Sequence, residues 1–255
     1  MEVMKRKAFQ GVANVIRFNW HFYAFGAAVI IGLLLLAGFM SPFFRYLAQA
    51  LSLLSAISIL ASLLASHYVY DRSGLYSMQW LSYLSIHLGE RILNVHAGFD
   101  ETSELIKEKY PDSELMVFDF YDPVRHTEIS IRRARKAYPA YPDTIPIDTN
   151  TLPPTASPID YIFLILAAHE IRNKNERIHF FSELSSSLSG EGRIIVVEHT
   201  RDVYNFLAYN VGCFHFISLK SWNETFSGAG LNQVKQFKLN PFISCFILKS
   251  NASTS

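Results

Sequence analysis

The chain has 255 residues, of which half are hydrophobic, a net charge of +1 and a mean hydropathy of +0.15. This length leaves room for one α/β domain of ordinary size and an additional apolar segment. The sequence has no basic stripe beyond the local cationic run IRRARK at 131–136, which argues against nucleic acid as a partner. Its two cysteines, Cys213 and Cys245, lie far apart without CxxC spacing, which argues against a structural zinc site or a disulfide framework.

Residues 1–70 predict a basic segment followed by two transmembrane helices, at about 21–40 and 43–65. The first span contains no charged residue and is as long as a bilayer-crossing helix, and Ser41 and Pro42 end it. Because the turn is so short, the two spans form a helical hairpin. A cleavable signal peptide is disfavoured, since the first span is long and a second follows at once. A pair of core helices in a soluble protein stays open as an alternative.

The orientation of the hairpin follows from its flanking charges. Only Arg45 lies in the turn region, whereas basic residues cluster on both outer sides: Lys5, Arg6, Lys7 and Arg17 before the hairpin, and Arg72 and Arg91 after it. By the positive-inside rule both ends are cytoplasmic. We therefore expect a multi-pass protein of the bacterial inner (cytoplasmic) membrane, with its main domain in the cytoplasm.

Residues 71–90 predict an amphipathic connecting helix. One face offers a set of large apolar side chains: Leu75, Trp80, Leu81, Leu84 and Leu88. This face would pack either on the domain that follows or on the membrane surface, and the sequence does not decide between the two.

Residues 91–123 predict a strand, a turn, a short helix and a second strand. The first strand is the apolar run 92–95, and Gly98 supplies the turn into a helix at 104–110. The second strand, at 115–120, carries Asp119 near its carboxyl end. In a doubly wound sheet, ligands bind at that edge, and an acid there can accept hydrogen bonds from ribose hydroxyls.

The remaining elements predict an α/β fold, with a doubly wound, mostly parallel sheet over 91–255. Strands are expected at 144–147, 160–167 and 193–198, with helices ending near Tyr138 and spanning 173–189. Two helical pieces follow within 203–231. The last two strands, 233–239 and 242–248, form a C-terminal antiparallel hairpin around Asn240 and Pro241.

This order of elements resembles the class I S-adenosylmethionine (SAM) methyltransferases over about 91–249. The first motif of that family is a strand, an acidic residue and a GxGxG turn. Here Asn94 stands at the acidic position, and His96 and Asp100 replace the outer glycines, so that Gly98 remains alone. The resemblance implies SAM as cofactor, bound by Asn94, His96, Gly98, Asp119 and Asp148. Asp148, in DTNT, also fits a simple turn-forming role.

Histidines follow several predicted strands: His96, His126, His169 and His199. Because the carboxyl ends of parallel strands share one edge, these side chains should gather at the ligand crevice. A histidine there can remove a proton from an acceptor while the methyl group is delivered. We expect His199 to be the base, with Asp202 as its orienting carboxylate and His169 as the second choice.

The stretch EHTRDVYNFLAYNVGCFHF resembles the acceptor side of bacterial small-molecule methyltransferases of the quinone and polyketide-tailoring type. Arg201, Asn205, His215 and Phe216, together with His126, are the expected acceptor-binding residues. The neighbouring aromatic residues Tyr204, Phe206 and Phe214 would line an apolar pocket or belong to the core.

These expectations describe a membrane-anchored SAM-dependent methyltransferase acting by O- or C-methylation on a lipophilic small molecule, such as an aryl lipid, polyene or quinone precursor. Its partners would be the lipid bilayer, this acceptor and either a second copy or a pathway enzyme. One alternative is a membrane-tethered scaffold that no longer binds SAM. Another is an enzyme with a divalent metal on His169, His199 and nearby carboxylates, but the sequence has no HExxH or close histidine pair, so no metal is predicted.

Overall fold

The computed structural model describes residues 6–84, 86–87, 89–125 and 128–251. Two long helices precede a sheet with helices on both faces. The helices are α1 (Gln10–Ala37), α2 (Pro42–His67), α3 (Ser103–Lys109), α4 (Ile129–Ala137), α5 (Lys174–Ser186), α6 (Val203–Tyr209) and α7 (Leu219–Gly228). The strands are β1 (Arg91–His96), β2 (Glu114–Asp119), β3 (Ile145–Pro146), β4 (Ile159–Ile165), β5 (Leu188–His199), β6 (Leu231–Asn240) and β7 (Ile243–Ser250).

The sheet has the order β3-β2-β1-β4-β5-β7-β6. The first five strands are parallel, and β7 pairs antiparallel with both β5 and β6. This confirms the predicted fold class, including the terminal hairpin. The order reverses between β1 and β4, because the chain adds β2 and β3 on one side of β1 and continues on the other. The crevice at such a reversal is where doubly wound sheets bind ligands.

Each face of the sheet is covered by its own apolar layer. On one face α5 and α7 supply large aromatic side chains, among them Phe180, Phe181 and Trp222, all fully buried. On the other face the cover comes from α3 and from residues 75–81, whose Leu75 and Leu81 are buried. The central strands are apolar on both faces because both faces are covered.

The prediction of one continuous helix over 71–90 was wrong. The segment begins within a π-helical turn at Tyr68–Arg72, and further along it has a 3-10 helix at Gln79–Tyr83. Gly74 has a φ of +79° and Met78 a φ of +52°, and a residue in this left-handed region breaks a helix. The apolar side chains of this segment pack on the sheet, which resolves the alternative between sheet and membrane surface. Leu88 lies outside the described residues.

The two N-terminal helices form an antiparallel pair that is long and apolar enough to cross a membrane by length and composition. In the most apolar 18-residue stretch of each helix, only 6% of the residues are buried for α1 and 11% for α2. A pair of core helices would be mostly buried, so this exposure disfavours that alternative. Helix α1 begins earlier than the predicted span, and its first turns contact the domain: Asn14 accepts a hydrogen bond from the Tyr138 hydroxyl at 2.9 Å, and Phe18 packs edge-on against Phe99.

Asp71 joins the helical pair to the connection. Its carboxylate accepts hydrogen bonds from the backbone N–H groups of Gly11 at 2.6 Å and Val12 at 3.0 Å, and it contacts His67 Nδ1 at 3.1 Å. The first N–H groups of a helix have no partner within the helix, so this carboxylate satisfies them and also meets the positive end of the helix dipole.

We expect Asp71→Ala to lower the free energy of unfolding by about 2 kcal/mol or more, because hydrogen bonds to a charged group contribute about 1.5–3 kcal/mol each. Denaturant unfolding in detergent micelles measures the change. Asp112→Ala, at an exposed position, is the matched control. If both variants unfold at the wild-type midpoint, Asp71 does not hold α1 in place.

Candidate active site

The turn after β1 is built around Gly98, whose φ of +91° is in the region that favours glycine. The Gly98 N–H donates to His96 Nδ1 at 3.1 Å. Asp100 Oδ1 accepts from the backbone N–H groups of Thr102 at 2.8 Å and Ser103 at 2.9 Å, where α3 begins. The residues that replace the outer glycines of the family motif therefore shape the same turn with side-chain hydrogen bonds.

Three buried side-chain atoms around this turn have no hydrogen-bond partner among the described residues. They are Asn94 Oδ1, His96 Nε2 and Asp100 Oδ2. Buried polar atoms in folded proteins are nearly always paired, so such a group of unpaired atoms indicates the place of a polar ligand. Asn94 also donates to the hydroxyls of Thr102 at 3.0 Å and Ser103 at 2.8 Å, which ties β1 to the start of α3.

Asp119 lies at the carboxyl end of β2, opposite His96, and is 6% exposed. Its Oδ1 accepts from the Tyr121 N–H at 2.9 Å, and its Oδ2 is ion-paired with Arg135 Nη1. A Cβ added to Gly98 would lie 2.9 Å from both Arg135 and Tyr121, so these two side chains fill the concave side of the turn. Arg135 belongs to the cationic run at 131–136, and no pattern in that run indicates a contact with Asp119.

Asp148 follows β3 as expected but is exposed. Its Oδ1 accepts from both the backbone N–H of Asn150, at 2.7 Å, and the side-chain amide of the same residue, at 2.6 Å. These bonds lower the pKa of Asp148, although burial acts in the opposite direction. The geometry matches the turn-forming alternative rather than a ligand contact.

A second polar group lies at the same edge of the sheet, after β4. His169 Nδ1 lies 2.8 Å from Glu198 Oε2, and the His169 backbone N–H donates to Glu198 Oε1 at 3.1 Å. His169 Nε2 lies 3.1 Å from Glu170 Oε1. Glu198, near the end of β5, is fully buried. The imidazole is thus held between two carboxylates.

His215 completes this group from the 3-10 helix at Asn210–His215. Its Nε2 lies 3.8 Å from Glu170 Oε1, and its Nδ1 lies 3.0 Å from Glu128 Oε1. The guanidinium of Arg172 contacts the ring and the carbonyl of His215 and lies 3.7 Å from Glu128 Oε1. The prediction placed His215 at the acceptor side, and the structure brings it to His169.

The carboxylates change the pKa values of this group strongly. Burial lowers the pKa of His169, but the charge of Glu198 and the hydrogen bonds with Glu170 and Glu198 outweigh burial and raise it to about 10. For Glu170, burial acts upward, while the hydrogen bonds from His169 and His215 hold its pKa well below the usual range. At neutral pH, His169 is therefore a cationic hydrogen-bond donor rather than a base.

His199 does not fit the predicted role of base. Asn205 donates its side-chain N–H groups to the carbonyls of Thr200 and Phe242, both at 2.9 Å, so its Oδ1 is left to accept from His199 Nδ1 at 2.9 Å. His199 Nε2 then accepts from the Tyr70 hydroxyl at 3.1 Å. Both ring nitrogens are occupied and the side chain is buried, so His199 and Asn205 are structural residues here.

Other predicted residues also have structural contacts. Asp202 caps α6, accepting from the Asn205 N–H at 2.9 Å, and forms an ion pair with Lys238 at 2.6 Å. It therefore does not orient His199. Arg201 donates to the carbonyls of Phe214 at 2.9 Å and Phe216 at 3.0 Å, and the Phe216 ring stacks on His199. His126 lies outside the described residues.

Scanned as a sequence, the chain matches no family model and no curated protein. Solved structures resemble it. A SAM-dependent methyltransferase from Aquifex aeolicus has a TM-score of 0.50 at 13% identity, covering 71% of this chain and 94% of its own. The complex of the Haloferax volcanii Trm112 methyltransferase activator with a putative methyltransferase gives 0.51 at 12% identity, with coverages of 71% and 90%.

This chain has the fold of the class I SAM-dependent methyltransferases. In its sheet, β7 lies antiparallel between β5 and β6. The pyocyanin biosynthetic protein PhzM also matches, with a TM-score of 0.50 at 13% identity over 73% of this chain. The chain spans only 57% of PhzM, so that likeness concerns the shared domain alone.

Burial lowers the pKa of His199 to about 4, from an ordinary value of 6.5. As the pH falls from 6.5 towards 4, the unfolded chain binds a proton that the folded chain does not. Stability is therefore full above pH 6.5 and decreases below it, by at most about 3 kcal/mol.

Unfolding free energies measured between pH 7 and pH 4.5 test this expectation. The pH dependence should become shallower in His199→Gln and stay as in wild type in His179→Gln, which removes an exposed histidine. If the unfolding free energy of all three proteins depends equally on pH, burial does not lower the pKa of His199.

Proposed function

We propose that this protein is a SAM-dependent methyltransferase that modifies a lipophilic small molecule at a membrane. The observation that carries the proposal is the placement of two polar groups at one sheet edge: the Gly98 turn with buried Asp119, and the cluster around His169. Since β1 alone separates β2 from β4, the carboxyl ends of these two strands lie about two strand spacings apart, roughly 10 Å. SAM and the methyl acceptor would thus meet at the crevice between β1 and β4, where the strand order reverses.

The residues around the turn fit SAM as the cofactor. Asp119 would accept hydrogen bonds from the ribose hydroxyls once Arg135 withdraws. The Arg135 side chain, which also contacts the Gly98 carbonyl at 3.4 Å and lies over the Tyr121 ring, is 38% exposed. The unpaired atoms of Asn94, His96 and Asp100 would meet the polar amino-acid end. When bound, SAM supplies a methyl group on a positively charged sulfur.

His169 replaces His199 as the residue proposed to act on the acceptor. Both ring N–H groups of His169 are engaged by Glu198 and Glu170, so its contribution would be the positive charge of the ring and not a hydrogen bond to the acceptor. Such a charge beside the acceptor oxygen would favour the oxygen as an anion, the more reactive nucleophile, once its proton has passed to water. The two carboxylates fix the position of the ring before the acceptor arrives. The role is electrostatic and orienting, and it suits a phenol or enol.

An apolar surface beside this cluster supports a lipophilic acceptor. Helix α6 and the following 3-10 helix expose a group of large apolar side chains: Val203, Tyr204, Phe206, Leu207, Val211 and Phe214. Helix α2 packs along α6, where Asn210 donates to the Ser58 hydroxyl at 2.7 Å. The exposed group therefore continues the apolar surface of the helical pair and ends at His215. An aryl lipid, polyene or quinone precursor could pass from a bilayer along it to the cluster.

The ion pair between Arg135 and Asp119 also favours a second candidate. If Arg135 does not withdraw, the cofactor position stays filled and the protein is a membrane-tethered scaffold. SAM binding decides between the two candidates.

Calorimetric titration of the full-length protein with SAM is the test. We expect Asp119→Ala to weaken binding by about 1.5–3 kcal/mol for each charge-assisted hydrogen bond lost. Arg135→Ala should bind SAM at least as tightly as wild type, because the competing ion pair is gone. If neither the wild type nor Arg135→Ala binds SAM, the enzyme is rejected in favour of the scaffold.

The membrane arrangement is tested by cysteine labelling in intact bacterial cells with a membrane-impermeant maleimide. Phe39→Cys lies in the exposed turn between α1 and α2 and should be labelled from outside, whereas Glu108→Cys, exposed on the domain, should not. The native Cys213 and Cys245 are buried, which keeps the background low. Labelling of Glu108→Cys alone would invert the proposed orientation.

A further inference from the structure

The cluster around His169 has the donor set of a metal centre. Nε2 of His169, Nε2 of His215 and Oε1 of Glu170 point at one another, and potential ligand atoms of the three residues lie within 4.8 Å. We propose that His169, Glu170 and His215 bind a divalent transition-metal ion. The sequence alternative of a metal on His169 and His199 is thereby revised, because His199 is used elsewhere and His215 takes its place.

The outer contacts of the two histidines match those of metal ligands. A ligating imidazole usually donates its second ring N–H to a carboxylate, which fixes the tautomer and turns the free nitrogen towards the metal. Here Glu198 lies 2.8 Å from Nδ1 of His169, and Glu128 lies 3.0 Å from Nδ1 of His215. Two separate carboxylates thus hold two imidazoles with their Nε2 atoms directed at the same oxygen.

The potential ligand atoms, which lie within 4.8 Å of one another, must draw closer to accept the ion. In a tetrahedral site with bonds near 2.0–2.1 Å, neighbouring ligand atoms are about 3.3 Å apart. Glu170 Oε1 lies 3.1 Å from His169 Nε2 and 3.8 Å from His215 Nε2. His215 is the last residue of the 3-10 helix Asn210–His215, outside the sheet, and its side chain is 31% exposed. Arg172, whose Nη2 contacts Nε2 of His215 itself, would have to give way to the ion, and its side chain is 42% exposed.

Two imidazole nitrogens and one carboxylate oxygen suit Zn²⁺ and the neighbouring first-row divalent ions rather than Mg²⁺ or Ca²⁺, which prefer oxygen ligands. Three protein ligands leave a coordination position open. An acceptor oxygen would occupy it, and the cation would supply the positive charge otherwise supplied by a protonated His169. This use of the ion rests on the proposed function, whereas binding of the ion does not.

The competing interpretation is a network held together by protons alone. In that network each histidine carries a second ring proton between its two carboxylates, and no ion enters. The two interpretations differ in whether protein that has been freed of metal with a chelator takes up one equivalent of metal at these residues.

The test uses the full-length protein in detergent, stripped with a chelator and titrated with Co²⁺ alone. We expect one equivalent to bind with the visible absorption of a four- or five-coordinate site, without a thiolate band, and Zn²⁺ to displace it. Glu128→Gln should weaken Co²⁺ binding by about 10–100-fold, the usual effect of losing an outer contact. His215→Gln should weaken it more, and His179→Gln should leave it unchanged.

Circular dichroism confirms that each variant is folded, and His215→Gln is the safest because its side chain is partly exposed. Absence of stoichiometric Co²⁺ binding in wild type, or equal binding in His215→Gln and wild type, overturns the proposal in favour of the proton network. SAM titrated into the same samples separates the two questions. SAM binding without metal binding rejects this inference alone, while metal binding without SAM binding rejects the methyltransferase and keeps the metal site.

Discussion

A carboxyl group without access to water is the constraint on which this sheet edge depends. Glu198 is fully buried, and an unpaired buried carboxylate is too costly for a fold to keep. His169 pairs with it twice, through the backbone N–H and through Nδ1. That double contact fixes the chain after β4 and sets the direction of the ring. The other ring nitrogen, Nε2 of His169, then contacts Glu170, and Glu170 in turn lies beside His215.

The helical pair is joined to the domain at both ends of the crevice. Near the glycine turn, Phe18 of α1 packs on Phe99. Near the histidine cluster, Tyr70 follows α2 and binds His199, which itself stacks on Phe216. The position of the crevice relative to the helices is thus set by specific side-chain contacts, rather than by a flexible linker. Residues 71–84 add to this, because they cover one face of the sheet.

The fold could be predicted from the sequence because its signals are local. The run 162–165 is apolar on both faces, and Gly98 and Asp119 lie where a parallel sheet needs a turn and offers a carboxylate. The choice of histidine could not be predicted. His199 is occupied by Tyr70, 129 positions away, and His169 gains His215 from a distant 3-10 helix. Such partners depend on packing, which leaves no pattern in the sequence. The amphipathic pattern over 71–90 also did not give one continuous helix, because Gly74 and Met78 have left-handed backbone conformations while the apolar side chains pack on the sheet.

Both edges of the sheet are closed to further strands. The outer strand β3 has only two residues, and one of them, Pro146, has no N–H to donate. At the other edge β6 is mostly exposed, carries Lys235 and Lys238, and has irregular register with β7 between Gln233 and Lys235. Lysines and bulges on an edge strand oppose pairing with a second copy, because like charges would face each other across the new ladder. Self-association of this protein would have to use helix surfaces, and a chain with so much apolar surface is protected against aggregation through its sheet.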